Sequence, residues 1–500
     1  DRKTSSEPGE VSAPEEAGPD ADDEDVDNQV LIIETNDEEL RWGLRTGGEP
    51  DEGVISITPD FSVYPRTPYP HQKEAIQWLG LHAERCGTPQ KWSADQKFWG
   101  AGALFADDMG LGKTLSTLVF LREWFQAWRE ATGHPAPACL IVSPLSLVEN
   151  WGGEIRKTFG DSLSPFSRTV QAIPAANLSC YYATPNGRDV VRAGSGNEDG
   201  KVERYGLRFG SGDEESLDMP GTVVLTTYTT LRDHRFSFAG CDWSAVVFDE
   251  AHNLKNPNAL QTIAAKAMKG FFRVALSGTP VENHLGDLWS LMDTVEPGAL
   301  GSFSEFRTRW IHPIRQDPSR MQEIGEDLRN HLGPLILRRT KEESLQGLPA
   351  KTVISMKIPM TDRQAELYDE VLRCANDAAE NEEGTRRTNQ WLASMWELRR
   401  ISLHPELVGD AVGAPASSST ACRDYFSQSG KLKWLLERLD AIRELGEKAL
   451  LFAVQKKFQE LLRRHLSVIY GVKVPVINGD TKAVASRSSN ETRLGLIEEF

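Results

Sequence analysis

Cysteine is scarce and scattered. The six residues, Cys86, Cys139, Cys180, Cys241, Cys374 and Cys422, include no C-x-x-C pair. That spacing argues against a zinc framework and a disulfide-stapled scaffold, and predicts reduced, mostly buried thiols. No apolar run is long enough to span a bilayer, and no apolar segment near Asp1 resembles a signal peptide. These two absences predict an intracellular protein with no membrane partner. Excess positive charge is missing too: the net charge is −17, which on its face counts against a nucleic-acid partner. Residues 1–28, however, hold eleven acids against two bases, about half of that excess. Net charge is therefore a poor guide to what the folded part binds. The chain starts with Asp1 rather than Met, so it reads as a processed product or a piece of something longer.

Five hundred residues are too many for one core and predict two or three domains. Residues 1–28, rich in Glu, Asp, Pro, Gly and Ser, cannot bury enough apolar surface to offset their ordering entropy and read as a disordered acidic tail. Residues 29–65 carry short β-rich runs (VLII, VISI, FSVY) between turn signals, a small strand-rich preface. From Pro70 onward strands alternate with helices, the mark of βαβ units around a parallel sheet. The strands expected are Ala103–Ala106, Cys139–Val142, Thr222–Thr226, Ala245–Phe248 and Arg273–Leu276, all continuous apolar runs as helix-covered strands should be. A polar stretch at 155–221, with β-like pieces SCYYA and RYGLRF, reads as an inserted hairpin or flap. Helical patterns dominate 301–408, and 409–428 looks like a linker. Residues 429–500 begin a second α/β unit, with helices at Lys431–Leu445 and Lys457–Leu466 and strands at Ala449–Val454 and Lys473–Ile477.

Two words carry chemistry. DDMGLGKT, Asp107 to Thr114, lies between an apolar run and a helical segment, the setting of a phosphate-binding loop. Gly110 and Gly112 have no Cβ to keep an anion from the backbone N–H groups, Lys113 would reach the β and γ phosphates, and Thr114 would ligate Mg²⁺. The general pattern begins with Gly, and Asp107 stands there instead. VVFDEAH, Val246 to His252, is an apolar strand ending in two carboxylates. Asp249 would hold Mg²⁺, and Glu250 would orient and deprotonate the attacking water.

These words and their neighbours resemble the Swi/Snf family of DNA-dependent ATPases in helicase superfamily 2, closest in wording to its bacterial and archaeal branch. PYPHQKEAIQWL, LIVSPLSLVENWGGE, TTY, DEAHNLKN, ALSGTPVENHLGDLWSL, LILRRTK, LPAKT, LRRISLHP and SGKLKWL follow in the family's order between Pro70 and Phe500. The resemblance implies an α/β fold of P-loop RecA-like lobes, the first at 66–300 and the second incomplete, joined through the helical insert. It makes Asp107 the expected residue at its position. It also assigns ATP and Mg²⁺ as cofactors, with Gln72, Asp108, Met109, Gly110, Leu111, Gly112, Lys113 and Thr114 around the nucleotide. Lys113, Asp249 and Glu250 are the catalytic set, with Thr114 and Asp249 on the metal. His252, Ser277, Gly278 and Thr279 would couple hydrolysis to movement, and Pro144, Trp151, Thr226, Thr227 and Tyr228 would contact DNA.

The expected function is an ATP-dependent translocase on double-stranded DNA in a bacterial or archaeal cytoplasm. Other subunits of a DNA-processing or defence complex are candidate partners. The second lobe's last two family motifs, one supplying arginine fingers, have no counterpart here, so the chain alone is expected to bind ATP but hydrolyse it poorly. Two alternatives stay open: a strand-separating helicase, and a non-catalytic ATP-controlled switch in a defence complex. Arg338, Arg339 and Lys341 read equally as phosphate or DNA contacts and as a solvated basic turn. Trp78, Trp124 and Trp289 read as core, and His404 as a packed or capping histidine.

Overall fold

A computed structural model describes residues 54–88, 101–159, 168–172, 180–184, 187–191, 218–279, 285–345, 352–381, 385–408, 417–481 and 493–500. The expected acidic tail and residues 29–53 of the preface lie outside these ranges. The chain divides into two units, Asp1–Leu348 and Pro349–Phe500.

In the first unit, β1 (Ala101–Phe105), β2 (Cys139–Ser143), β3 (Arg168–Ala172), β6 (Thr222–Thr227), β7 (Asp242–Asp249), β8 (Lys269–Leu276) and β9 (Ile336–Leu337) form one seven-stranded sheet. Their order is β3-β6-β2-β7-β8-β1-β9, and every pair is parallel. The five expected strands are all present. Side chains along a strand alternate between faces, and here both faces are covered. Leu104, Leu140, Val142, Val246 and Phe248 enter one core, while Phe105, Cys139, Ile141, Ala245 and Val247 enter the other. Continuous apolar runs result, each large side chain contributing roughly 2 kcal/mol by its burial.

Helices α1 (Pro70–Glu84), α2 (Lys113–Thr132) and α3 (Leu145–Phe159) cover the second core, and α4 (Leu285–Val295) packs on the first. Trp78 and Trp124 are 1% and 0% exposed and Trp289 is buried, as core residues should be. The insertion holds an antiparallel hairpin, β4 (Cys180–Thr184) with β5 (Gly187–Val191). Its second strand is GRDVV; RYGLRF falls outside the described residues. The same insertion supplies β3 to the sheet edge, which the sequence reading missed.

The expected preface strands do not form within 54–65. Asp60 accepts the Ser62 N–H at 2.9 Å, and this local side-chain bond turns Phe61–Val63 into a single 3-10 turn. Ile55 is instead buried in the core over α1 and α2.

The second unit contains α5 (Asp362–Asn381), α6 (Thr385–Leu403), α7 (Gly430–Glu444) and α8 (Lys456–Tyr470), with a core of Phe426, Leu432, Leu461 and Leu466 among others. Part of the expected linker is a helix, Ser419–Ser427, capped by Ser418 and anchored by buried Cys422 and Phe426. The strands expected at 449–454 and 473–477 do not pair among the described residues. A parallel strand exists only through its neighbours, and here Phe452 and Val454 stand 94% and 90% exposed. His404 both packs and caps: Nε2–H donates to Tyr425 O at 3.1 Å, and Nδ1 accepts the Glu406 N–H at 3.2 Å.

Candidate functional site

The C-terminal ends of β1, β8, β7, β2 and β6 share one edge of the sheet, where open parallel sheets bind ligands. After β1 the chain enters Asp107–Thr114, with Gly110 and Gly112 at φ 90° and 85°. Only glycine holds such angles without strain, and a Cβ on Gly112 would run into the Gln72 amide. Gly112 caps α2, so the loop ends at the positive end of a long helix. Lys113 Nζ folds over the loop, donating to Asp107 O at 2.6 Å and Asp108 O at 3.2 Å. Burial lowers its pKa, opposed by the carboxylates of Asp107, Glu250, Asp249 and Asp108. A partly desolvated ammonium among acids is a group that gains from a phosphate.

Helix α1 braces the loop. Gln72 Nε2 donates to Leu111 O at 3.1 Å, and His71 Nε2 lies 3.0 Å from the same oxygen. Gln72 Oε1 accepts the Tyr69 N–H, so both ends of the amide are occupied and the side chain is buried. Gln72, expected beside the nucleotide, supports the loop in this structure. Leu111 is core, Met109 is exposed, and Asp108 accepts the Lys341 N–H at 3.2 Å.

At the end of β7, Asp249 is 7% exposed and firmly held. Trp151 Nε1 donates to its Oδ2 at 2.7 Å, the Glu250 N–H to its Oδ1 at 3.0 Å, and the Tyr228 hydroxyl to its carbonyl at 2.8 Å. Burial raises its pKa to about 6, against the Trp151 hydrogen bond, and the neighbouring Glu250 pushes the same way as burial. Glu250 has φ 50°, the left-handed region, the sole non-glycine there among the described residues. Asn253 Nδ2 holds its carbonyl at 2.8 Å, and His252 Nδ1 lies 3.2 Å from Glu250 Oε2. Strain of this kind is retained where the surroundings overdetermine it.

Between these two strand ends lies the turn after β8. Ser277 is fully buried, its Oγ accepting the Thr279 N–H at 3.1 Å. A Cβ on Gly278 would stand 2.7 Å from Met109 Cγ, so this turn touches the phosphate loop directly.

Most of the residues expected to contact DNA are buried in this structure. Trp151, Thr226, Thr227 and Tyr228 are 0%, 0%, 6% and 5% exposed. Trp151 and Tyr228 commit their polar tips to Asp249, and Thr227 caps the next helix through the Thr230 N–H at 3.1 Å. Of that set, only Pro144 reaches the surface, half-buried at the start of α3.

Arg338 and Arg339 do not form a solvated basic turn. Strand β9 pairs with β1, Leu337 beside Phe105, and delivers Arg339 into the interior. Its guanidinium grips Asp107 through Nε, at 3.1 and 3.2 Å from the two oxygens, and Nη2, at 2.5 Å; Nη1 reaches Glu74 on α1 at 3.0 Å. Arg338 Nη1 donates to Ala106 O at 2.9 Å and Gly278 O at 3.3 Å. The signal was present in the sequence: an acid that replaces the loop's first glycine needs a cation once buried.

No group of three or more His, Cys, Asp or Glu able to hold a metal occurs among the described residues.

Residues 71–407 match the SNF2-related domain. The chain is 33% identical over 445 residues to the Zorya protein ZorD of Escherichia coli O139:H28 (strain E24377A / ETEC), covering 86% of this chain and 36% of that protein. It is 30% identical over 434 residues to the putative ATP-dependent helicase/translocase YwqA of Bacillus subtilis (strain 168), covering 86% and 39%. A solved structure, the Sulfolobus solfataricus SWI2/SNF2 ATPase core in complex with dsDNA, is 25% identical at a TM-score of 0.39, covering 91% of this chain and 78% of that one. The chain thus spans well under half the length of these two curated relatives.

Proposed function

The chain belongs to the SNF2-related family of helicase-like ATPases, and from that premise we propose that it is the ATP-binding part of a motor that moves along double-stranded DNA without separating the strands. The observation that carries this reading is the convergence of Lys113, Asp249 and Glu250 at one sheet edge, with the Gly278 turn packed on the loop between them. The first-turn N–H groups of α2 and the Lys113 ammonium bind and orient the phosphates. Thr114 and Asp249 are the residues that would hold Mg²⁺, which, when bound, neutralises phosphate charge. Asp249 arrives pre-aligned by Trp151 and the Glu250 N–H, and Glu250, its backbone pinned by Asn253, accepts the proton of the attacking water. The Ser277–Thr279 turn, in contact with Met109, relays the state of the loop. The name of YwqA, a putative helicase/translocase, supports motion on DNA as the output.

ATP turnover with and without blunt duplex DNA, combined with displacement of a third strand from a triplex, tests the proposal in the complete protein. Duplex should stimulate turnover, the third strand should be displaced, and a forked duplex should stay annealed. Glu250→Gln should abolish turnover yet keep nucleotide bound. Fork unwinding without triplex displacement would instead favour the strand-separating helicase. Binding through phosphates makes the DNA affinity fall steeply with salt and depend little on sequence.

A further inference from the structure

The phosphate loop is held at both ends by groups outside it. At its far end, Gln72 and His71 of α1 hold Leu111 O. At its near end the restraint is ionic. Asp107 is 1% exposed, with Arg339 forked across both of its oxygens, and the same guanidinium reaches Glu74, two residues along α1 from Gln72. Backbone bonds run beside the ion pair: the Ala106 N–H to Leu337 O at 2.7 Å, and the Asp108 N–H to Arg339 O at 3.0 Å. Arg338 adds the bridge from Ala106 O to Gly278 O.

We infer that Arg339 is a positioning residue for the nucleotide, fixing through Asp107 the loop shape that glycine permits in the general phosphate-loop pattern. A glycine at the loop's first position reaches its conformation freely, because it has no side chain to place. An aspartate there must bury a carboxylate, and a planar guanidinium matches its two oxygens at a fixed angle, so the pair selects one backbone course. The Asp108 and Asp107 carbonyls that receive Lys113 then point the same way in every molecule. Arg339, buried and forked across the Asp107 carboxylate, acts through Asp107.

The inference rests on ATP binding at this loop, and the test separates the two. Binding of a fluorescent ATP analogue with Mg²⁺ is measured for the full chain, with thermal unfolding alongside. The loop assignment itself fails if wild type binds nothing, or if Lys113→Ala binds as wild type does. With that control passed, Arg339→Met is expected to weaken nucleotide binding by about tenfold or more. Arg339→Lys keeps the charge but loses the fork, and should recover only part of the affinity. Asp107→Gly combined with Arg339→Met removes the buried charge and restores the general pattern, and should bind within about threefold of wild type. If Arg339→Met fails to fold, Arg339→Lys and the double variant decide. A purely structural salt bridge would lower the unfolding temperature and leave affinity in the folded variants unchanged, and that result overturns the inference. So does a double variant that folds and still binds as weakly as Arg339→Lys.

Discussion

Arg339 Nη2 stands 2.5 Å from Asp107 Oδ2, and the two side chains are 3% and 1% exposed. Removing one member of such a buried pair leaves an uncompensated charge, which costs about 3–5 kcal/mol, whereas replacing both with neutral groups is often close to neutral. Arg339→Met should therefore lower the urea midpoint of the first unit strongly. Adding Asp107→Asn should recover at least half of that loss, and tryptophan fluorescence is a suitable probe because Trp78 and Trp124 lie in the adjacent core. Equal midpoints for the single and double variants would refute the coupling.

Trp151→Phe keeps the ring in the core and deletes the N–H that donates to Asp249. A hydrogen bond to a charged acceptor is worth about 1.5–3 kcal/mol, so Mg²⁺-dependent turnover should drop by roughly ten- to a hundredfold. Tyr228→Phe removes a bond to the Asp249 backbone only, and should cost about 1 kcal/mol of stability with a smaller effect on rate. Steady-state kinetics over a Mg²⁺ titration distinguishes the two.

Asn253→Ala releases the Glu250 carbonyl from its side-chain partner. The left-handed geometry of Glu250 costs about 1–3 kcal/mol to maintain, so the carboxylate should relax away from its aligned position. The expected signature is a kcat lower by about tenfold with the KM for ATP unchanged, the mark of an interaction made in the transition state.

Gly112→Ala and Gly278→Ala should differ in kind. At Gly112 both the φ of 85° and the Gln72 amide oppose a side chain, so nucleotide binding should be lost and stability should fall by more than about 1 kcal/mol. At Gly278 the obstacle is Met109, flexible and 54% exposed, which can swing aside. That variant should keep its stability and show its defect in DNA stimulation of turnover, measured as the ratio with and without duplex.

His82 is fully buried, and burial holds its pKa at about 3, below the ordinary 6.5. The unfolded chain takes up a proton near 6.5 and the folded one does not. Its contribution is therefore full above pH 6.5 and is lost as pH falls toward 3, with a slope of about 1.4 kcal/mol per unit. Asp249 runs the other way: raised to about 6, its contribution is full below 3.8 and is lost as pH rises through 6. His82→Gln should flatten acid destabilisation of the first unit between pH 6.5 and 4, read from urea midpoints at several pH values.

Local signals made much of the first unit legible. The strands around the site are continuous apolar runs, and the loop and the DE pair are short words with one geometric meaning. Side-chain partners set by tertiary contact were not legible. Trp151 and Asp249 are 98 residues apart and Arg339 and Asp107 are 232 apart, so no local pattern links them. The same holds for the DNA contacts: TTY marks the end of β6, but only packing reveals that its tyrosine turns inward beneath Asp249. The segments at 449–454 and 473–477 have strand-like composition, yet strand character belongs to a pair of segments, and neither has a partner strand among the described residues.

Strand β9 is only two residues long and sits at the sheet's edge. Edge ladders of that length fray at little cost, so the amides of Ala106 and Asp108, which donate to Leu337 O and Arg339 O, should exchange with solvent deuterium sooner than those in the middle of β7 or β8. The shortest strand of the sheet is then the one against which the phosphate loop is set, and nucleotide residence time can be adjusted there by substitutions that leave the rest of the sheet untouched.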